Sequence, residues 1–370
     1  MAELRLFAPE GVHETLAFLD ACAREGVVAG VVDPALTISD AGTADSPHRP
    51  ALALWTSGST GAPRGVLFGA ERLRHAASTI AASIDLRGTV GIALPLHYSY
   101  ALVGQALAGR AAGCDLVDLR GAPDLAAALH AARIEVFSGV PALLRQLVEA
   151  IEDGAPAPPL HTVCSAGAPL SGALARRIRA ALPDAVLWNQ YGTTELGPRL
   201  AAIPHHDPAF VAALAEGRDP PAGRLLPGAE ARVVDGHLEA RTPWQALGSL
   251  DVLVPDDWQR TGDLGSLDGD LVTVHGRADH VLLVGGEKVH PAAIERVLRL
   301  HVEDAGVVGR PHRRLGQVPV AFVVGDPDAE RDLWATLRAE LPPRARQVTI
   351  TWLDALPRLS SGKLDRSALQ

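Results

Sequence analysis

The chain has 370 residues, of which 34 are Lys or Arg and 43 are Asp or Glu, so its formal net charge at pH 7 is −9. Hydrophobic residues make up 47% and charged residues 21%, which is typical of a folded globular protein and excludes disordered and collagen-like chains. An acidic chain without a basic stripe is poorly suited to bind a phosphate backbone, so we expect no nucleic acid as the main partner.

The cysteines Cys22, Cys114 and Cys164 are far apart in the sequence and form none of the close pairs typical of zinc sites or small disulfide scaffolds. This pattern favours a reducing, cytoplasmic location. The opening segment MAELRLFAPEG lacks the features of a signal peptide, and no run approaches the ~18 apolar residues that a membrane span needs. We therefore expect no membrane association.

Between about residues 50 and 200, short β-rich runs alternate with amphipathic helical patterns. Strands are predicted at 89–96, 114–119, 134–140, 161–166 and 185–191, and helices at 100–113, 123–133, 141–151 and 171–182. This alternation predicts right-handed crossovers and a mainly parallel sheet covered by helices on both faces. Ligands of such sheets bind beyond the carboxyl ends of the strands, so we expect the site in those loops.

After residue 200 the pattern changes to short β segments and turns, which predict hairpins in an antiparallel sheet or a small barrel. Residues 279–370 carry two helical and three strand patterns, enough for a small domain with its own core. We therefore predict an α/β fold with a large domain over residues 1–278, built from a mainly parallel sheet (50–200) and a small β-rich subdomain (201–278). An α+β domain over 279–370 follows it.

The segment LWTSGSTGAPRG, residues 54–65, has the composition of a phosphate-binding loop. Its hydroxyl side chains donate hydrogen bonds, and its glycines let backbone N–H groups approach an anion. It is not a GxxxxGK[ST] loop, because no Lys-Ser or Lys-Thr pair follows the last glycine. An ordinary turn is the alternative interpretation of the composition.

Several segments resemble, in the same order, the motifs of the acyl-adenylate-forming superfamily of acyl- and aryl-CoA synthetases, nonribosomal peptide adenylation domains and firefly luciferase. They are TSGSTGAPRG (56–65), SAGAPL (165–170), NQYGTTELG (189–197), RTGDLG (260–265), GRADHVLLVGGEKVHPAAIE (276–295) and PRLSSGKLDR (357–366). A single match would be weak, but a series in order is specific. The resemblance implies that residues 279–370 form a mobile lid.

The resemblance also implies an ATP site. The ATP-binding residues expected from it are Thr56, Ser57, Gly58, Ser59, Thr60, Gly61, Arg64 (where Lys is more usual), Gly167, Ala168, Pro169, Asn189, Tyr191, Gly192, Thr193, Asp263 and Arg277. An aromatic face at Tyr191 suits an adenine, and the groups of Asp263 and Arg277 suit a ribose or phosphate. Core packing and a turn aspartate are the alternatives at Tyr191 and Asp263.

Thr194, Glu195 and Lys363 are the catalytic residues that the resemblance implies, with Glu195 holding Mg²⁺. A carboxylate beside a triphosphate suits this cation, which takes one or two carboxylates and keeps several waters. A lysine that bridges a carboxylate and the α-phosphate of ATP reduces the repulsion between two anions and stabilises the transition state. The alternatives are a solvated glutamate and a solvated lysine.

For the second half of the reaction, the resemblance places a hinge at Asp279 and a thiol channel at Gly285 and Gly286. A turn or capping aspartate and a hairpin turn are the alternatives. LPLHYSYAL (94–102) resembles the substrate gate, so His97, Tyr98 and Ser99 are expected in the pocket, with Tyr98 where many members have His. This segment has no acidic residue to pair with an amino group, so we expect an apolar or aromatic acid.

The function implied is activation of a carboxylic acid with ATP and Mg²⁺ as acyl-AMP, with release of pyrophosphate. Transfer follows to the thiol of coenzyme A or of an acyl carrier protein's phosphopantetheine. A non-catalytic module that binds a nucleotide or acyl-adenylate, and adenylation with an amine acceptor, are the alternatives. Joint retention of Thr194, Glu195, Asp263, Arg277 and Lys363 favours an enzyme, because a binding module does not need the lysine.

The segment 12–34 resembles the helix and strand near the start of the family, but the expected continuation before the phosphate loop is missing. Residues 33–50 are interpreted as a linker across this gap. An incomplete sheet exposes apolar surface, so a homodimer that covers it is a further expectation.

Overall fold

The structure is a computed structural model that describes residues 3–33, 50–57, 63–250, 257–359 and 362–370. In chain order the helices are α1 (Val12–Glu25), α2 (Ala70–Ser83), α3 (Ser99–Ala101), α4 (Ala108–Ala111), α5 (Leu125–Ala131), α6 (Pro141–Glu152), α7 (Gly172–Ala181), α8 (Pro208–Ala215), α9 (Pro291–Leu298) and α10 (Glu330–Glu340). The strands are β1 (Leu4–Phe7), β2 (Val28–Val31), β3 (Pro50–Ser57), β4 (Pro63–Gly69), β5 (Thr89–Ile92), β6 (Asp115–Asp118), β7 (Val136–Gly139), β8 (Thr162–Ser165), β9 (Val186–Tyr191), β10 (Ala201–Pro204), β11 (Gly223–Leu225), β12 (Glu230–Val234), β13 (His237–Arg241), β14 (Gly248–Ser249), β15 (Gln259–Asp268), β16 (Leu271–Arg277), β17 (Leu282–Val284), β18 (Glu287–Val289), β19 (Asp304–His312), β20 (Gly316–Val324) and β21 (Thr349–Trp352).

The largest sheet has the strand order β12-β13-β15-β16-β11-β10-β9-β8-β7-β5-β6 among the described residues. Strands β6, β5, β7, β8 and β9 run parallel to their neighbours, which confirms the predicted parallel sheet. The hairpins predicted after residue 200 are also present. They extend this sheet in antiparallel fashion, because β10 pairs with β9. The strand order among the described residues is open, with β12 and β6 at its two edges, so these strands do not close into a barrel. The two parts therefore share one continuous sheet.

A smaller sheet has the order β1-β2-β3-β4-β14. The helix and strand predicted at its start are confirmed as α1 and β2, whereas β1, α2 and the β3–β4 hairpin have no counterpart in the sequence analysis. Helix α1 buries Val12, Leu16 and Cys22 and ends at Gly26, whose φ of 72° favours glycine. The interpretation of residues 33–50 as a linker falls mostly on 34–49, which lie outside the described residues.

The helix predicted at 100–113 is confirmed, but its middle is not α-helical. Between α3 and α4 the six residues Leu102–Leu107 form a π-helical segment, and all six are buried. A π-helix is rare, and π-helical turns inside α-helices are frequently found at functional sites. No periodicity argument distinguishes it from an α-helix, which is why the sequence did not predict it.

The C-terminal part forms a third sheet in the order β18-β17-β20-β19, with β21 beside β20. The helices and strands predicted here are confirmed as α9, α10, β19, β20 and β21. Their apolar side chains form a cluster drawn only from residues of this part, among them Val284, Ile294 and Leu333. The division of the chain at residue 279 stays a prediction.

Two further observations concern the surface. Within the described part of the chain, none of the helices has the length and apolar character needed to cross a bilayer. The large apolar side chains that this part exposes lie on six separate segments, at Leu6, Val211, Val233, Leu283, Leu300 and Leu359. The homodimer therefore stays a prediction.

Candidate active site

Several of the predicted site residues lie at or near the carboxyl ends of β8 and β9, where a parallel sheet is expected to bind its ligand. Gly167, Ala168 and Pro169 lie in the loop after β8, and Tyr191 is the last residue of β9. Asp263 and Arg277 come from the β15–β16 hairpin, where they stand opposite each other in the ladder. Tyr191 and the β15–β16 hairpin thus meet at this edge of the sheet, and we call the space bordered by these three segments the cleft.

Tyr191, Asp263 and Arg277 form a hydrogen-bonded group. The Tyr191 hydroxyl donates to Oδ2 of Asp263 at 2.6 Å, and Arg277 Nη1 lies 3.6 Å from Oδ1 of the same carboxylate. Burial raises the pKa of Asp263, while Tyr191, Arg277 and Lys363 act in the opposite direction. The arrangement holds a carboxylate at the cleft wall that can accept hydrogen bonds from a sugar.

Lys363 reaches the same cleft from the C-terminal part. A Cβ added to Gly167 would lie only 3.9 Å from Cε of Lys363. The Lys363 side chain is exposed. Desolvation is the largest effect that lowers its pKa, and the positive charge of Arg277 is the second, whereas the carboxylates of Asp263 and Glu195 raise this pKa. The structure therefore places the lysine ammonium in the electrostatic field of three residues that the sequence assigned to the site.

Thr194 and Glu195 lie in the loop after β9. The hydroxyls of Thr194 and Ser99 are 2.8 Å apart, and the Glu195 carbonyl accepts a hydrogen bond from Ala246 at 2.8 Å. Among the described residues, no group of three or more His, Cys, Asp or Glu side chains could enclose a metal ion. A single carboxylate at Glu195 fits a Mg²⁺ ion that is held mainly by phosphates and water.

Gly192 fits a very narrow space at the start of this loop. A Cβ added there would lie 2.1 Å from the carbonyl oxygen of Pro198 and 2.8 Å from Cα of Arg199. Real Cβ atoms do not approach backbone atoms this closely, so glycine is required by packing.

We expect Gly192→Ala to displace the loop that carries Thr194 and Glu195, with a loss of about 1–3 kcal/mol of stability, because the clash is with backbone atoms. Thermal unfolding and nucleotide titration measure the two effects. Gly11→Ala is the control, since a Cβ there meets only Asp118 Oδ2 at 3.8 Å. Unchanged unfolding and nucleotide affinity in Gly192→Ala would contradict this packing.

The phosphate-loop segment is described only at its two ends. Thr56 and Arg64 are opposite each other on β3 and β4, and Arg64 Nη2 donates to Ser249 Oγ at 3.2 Å. Of Ser57 the structure describes only its place in β3. Gly58, Ser59, Thr60 and Gly61 lie outside the described residues. The described ends belong to the antiparallel pair β3 and β4.

Three of the predicted positions make contacts within the fold. Asn189 is 6% exposed, and its Nδ2 donates to the Pro221 carbonyl at 2.7 Å. His97 is 7% exposed, with Nε2 at 3.4 Å from Oδ2 of Asp33. Burial lowers the pKa of His97, and Asp33 opposes this effect. Tyr98 lies beside His97, with ring centroids 4.1 Å apart.

Gly285 and Gly286 form the two-residue turn between β17 and β18, with φ angles of 59° and 85°. Two consecutive positive φ values are those of a hairpin turn that favours glycine. The hairpin interpretation is therefore confirmed. Asp279 lies in the short helical turn Ala278–His280 after β16, and both of its oxygens accept from Arg277 at 3.1 Å.

Some residues of functional interest were not predicted from the sequence. Asp304 on β19 contacts Arg145 of α6 at 3.3 Å and also contacts Arg358, whose Nη1 donates to the Gly362 carbonyl at 2.9 Å. A chain of contacts thus connects α6 to the loop that carries Lys363. Arg199 is buried behind Gly192, and its sequence signal is a cation inside the otherwise apolar run LGPRLAAI.

The fold matches several solved enzymes. The o-succinylbenzoate CoA synthetase of Bacillus subtilis, in complex with the acyl-adenylate intermediate OSB-AMP, aligns with a TM-score of 0.78 over 100% of this chain and 88% of that chain, at 20% identity. A second structure of that enzyme, in complex with ATP and magnesium, gives 0.77 over 100% and 89% at 20% identity. This chain therefore has the fold of the adenylate-forming enzymes.

The family model for the AMP-binding enzyme matches residues 8–255, and the model for the AMP-binding enzyme C-terminal domain matches residues 293–363. The chain therefore belongs to the AMP-binding enzyme family.

Curated relatives agree with this assignment. Isonitrile lipopeptide synthase of Streptomyces coeruleorubidus is 34% identical over 86% of this chain and 23% of its own length. A fatty acid–[acyl-carrier-protein] ligase of the same organism is 31% identical over 88% and 68%. A 2-succinylbenzoate–CoA ligase of Listeria monocytogenes is 28% identical over 87% and 70%. The chain thus spans about a quarter of the first of these relatives and about two thirds of the other two.

Proposed function

We propose that this protein is an AMP-forming acid–thiol ligase. It activates a carboxylic acid with ATP and Mg²⁺ as acyl-AMP and then transfers the acyl group to the thiol of coenzyme A or of carrier-protein phosphopantetheine. The observation that supports this most strongly is the position of Lys363: a Cβ on Gly167 would lie 3.9 Å from its Cε, and the charges of Arg277, Asp263 and Glu195 act on its pKa. A module that only binds a nucleotide does not need this lysine.

In the first step, a carboxylate oxygen of the acid bonds to the α-phosphorus of ATP, and the bond from that phosphorus to the bridging oxygen of pyrophosphate breaks. Tyr191 and Asp263 hold the nucleoside, and the ammonium of Lys363 lies between the two reacting anions, where it stabilises the developing charge. When bound beside Glu195, Mg²⁺ neutralises phosphate charge.

In the second step, the thiol attacks the acyl carbon and AMP leaves. We propose that the C-terminal part rotates about Asp279 for this step and brings Gly285 and Gly286 to the cleft. In the present arrangement a Cβ on Gly285 would lie 3.2 Å from Arg344 and from Leu315, both in the C-terminal part. The ion pair between Arg277 and Asp279, with Nη2 and Oδ2 3.1 Å apart, lies at this proposed hinge.

The acceptor remains open between coenzyme A and a carrier protein, because the printed names of the relatives include both CoA ligases and an acyl-carrier-protein ligase. An amine acceptor is a third candidate. The substrate is a small carboxylic acid with an apolar or aromatic skeleton, in keeping with the fatty acid and coumarate named for relatives. A cytoplasmic location and a homodimer complete the proposal.

The test is acid-dependent release of pyrophosphate from ATP and Mg²⁺ across fatty, benzoic and cinnamic acids and amino acids. Release with one class of acid, followed by transfer to coenzyme A, a loaded carrier protein or an amine, defines both substrate and acceptor. ATP binding without release for any acid would instead favour the non-catalytic module.

The contacts between Arg145, Asp304 and Arg358 predict a positioning role for Arg145 in the first step alone. We expect Arg145→Ala to slow adenylation by about 3- to 10-fold, as for the loss of one partly buried ion pair. Transfer of the acyl group from preformed acyl-AMP should keep its rate, because that step uses the rotated arrangement.

Single-turnover measurements of the two steps test this prediction. Arg177→Ala is the matched control, since Arg177 lies 2.6 Å from Glu152 within the N-terminal part and does not connect to the lysine loop. Equal slowing of both steps in Arg145→Ala, or equal effects in the two variants, would exclude the positioning role.

A further inference from the structure

A group of four polar side chains, three of them buried and one half-buried, lies directly behind the loop of Thr194 and Glu195, and the adenylation chemistry does not use it. We call it the inner polar cluster and define it as Arg199, Gln105, Gln190 and Tyr100. Arg199 is 1% exposed, Gln105 2% and Gln190 4%. Charged and amide side chains are rarely buried this deeply without partners.

Most polar side-chain atoms of the inner polar cluster have no hydrogen-bond partner among the described residues. Within the described part of the chain, none of the three guanidinium nitrogens of Arg199 has a hydrogen-bond partner, nor has either amide atom of Gln105. Nε2 of Gln190 also lacks one, although its Oε1 accepts from the Tyr100 hydroxyl at 3.0 Å. The Arg199 guanidinium carbon lies 5.8 Å from the centre of the Tyr100 ring. A buried cation without a carboxylate is strongly unfavourable, so this arrangement calls for an anion.

The position of the cluster connects it with the substrate side of the cleft. A Cβ on Gly104, in the π-helical segment, would lie 3.8 Å from Nη2 of Arg199. Gln190 is next to Tyr191, and Ser99, which contacts Thr194, is next to Tyr100. The guanidinium therefore lies between the end of β9 and the π-helical segment, behind the loop that carries Thr194 and Glu195.

The charges of Arg199 and Lys363 act on different groups of residues. The charge of Lys363 interacts with Arg277, Asp263 and Glu195, whereas that of Arg199 interacts with Tyr100 and Cys164. For a substrate to use both cations, its reacting carboxylate would meet Lys363 and its far end would have to reach Arg199.

We propose that the inner polar cluster binds a second anionic group of the substrate. The group that fits it best is a second carboxylate, at the end of the molecule remote from the reacting carboxylate. This inference rests on the proposed function and narrows its substrate class. A guanidinium presents a planar fork of donors that fits a carboxylate, and the Nε2 atoms of Gln105 and Gln190, which have no hydrogen-bond partner among the described residues, supply further donors. The skeleton between the two carboxylates can still be apolar or aromatic, as the sequence indicated.

The test compares matched pairs of acids, such as hexanoic with adipic acid and benzoic with its dicarboxylic counterparts, by kcat/KM for pyrophosphate release. We expect the wild type to prefer the diacid of at least one pair by about 10–100-fold, because a site built for a polar group rejects the analogue that lacks it. Arg199→Met should abolish this preference by losing activity on the diacid and keeping activity on the monoacid. Gln105→Leu should reduce the preference, and it serves as the second variant if Arg199→Met does not fold.

A binding measurement separates this inference from the proposed function. Thermal unfolding is recorded with and without each acid for the wild type and both variants. Stabilisation by a diacid that disappears in the variants supports the cluster as an anion site even if no acid releases pyrophosphate, a result that rejects only the ligase. A third outcome is that the enzyme releases pyrophosphate, prefers the monoacid of every pair, and keeps the same diacid-to-monoacid ratio of kcat/KM in the variants. This outcome rejects the anion site and leaves the ligase intact. If no acid causes pyrophosphate release and no acid stabilises the protein, both the ligase and the anion site are rejected.

Discussion

Lys363→Ala is expected to slow adenylation by about 10²–10⁴-fold and to leave ATP binding nearly unchanged. The ammonium acts on charge that develops between the carboxylate and the α-phosphate, so its loss raises the barrier more than it weakens the ground state. In the structure the lysine side chain lies beside Gly167 and in the field of Asp263 and Glu195, which is where this charge would form.

Lys288 provides the matched control for this variant, because Lys288 and Lys363 are the only lysines in the chain. Lys288→Ala removes the other ammonium, on β18, and should adenylate at the wild-type rate. Pyrophosphate release and nucleotide titration on both variants decide the result. An undiminished rate in Lys363→Ala would reject the catalytic role.

Asp263→Ala is expected to weaken ATP binding by about 10–100-fold, because a carboxylate that accepts hydrogen bonds from the ribose contributes about 1.5–3 kcal/mol. Asp263→Asn should show a similar loss without a loss of stability. Burial raises the pKa of Asp263, so the folded state holds the proton more tightly than the unfolded chain does, and stability falls as pH rises through the interval between the two pKa values. An amide at this position avoids that penalty.

Asp268→Asn is the matched control, since Asp268 lies exposed at the far end of the same strand. Calorimetric titration with ATP and thermal unfolding at neutral pH measure the two effects. Wild-type ATP affinity in Asp263→Ala would remove the ribose assignment, and a clear loss of stability in Asp263→Asn would contradict the account of its pKa.

Much of the fold was predictable because its signals are local. The strands β5 to β9 appear as short apolar runs, and the helices between them have helical spacing of apolar residues. Their succession along the chain and their parallel direction therefore followed from the sequence, whereas the order of the strands within the sheet did not. The antiparallel strands after residue 200 were also predicted as hairpins. Their continuity with the parallel sheet was not, because the pairing of β10 with β9 depends on contacts that no local pattern encodes.

The residues of the site also divide into those that the sequence predicted and those that only the structure revealed. Tyr191, Asp263, Arg277 and Lys363 belong to motifs with fixed residue types, so the resemblance found them without coordinates. Arg199 lies in no such motif. In the sequence it is a single cation after a turn, and only its burial and the absence of partners in the described residues mark it as a candidate for binding.

The sequence by itself determined the fold class, the family resemblance and the residue types of the nucleotide site, because apolar periodicity and motif order are properties of the chain read in one dimension. The tertiary structure decided which of these residues meet. It brought the C-terminal Lys363 beside Gly167, joined Arg145 to Asp304, and enclosed Arg199 between the end of β9 and a π-helical segment. These are contacts between distant segments, and their distances and solvation depend on how whole elements pack against each other.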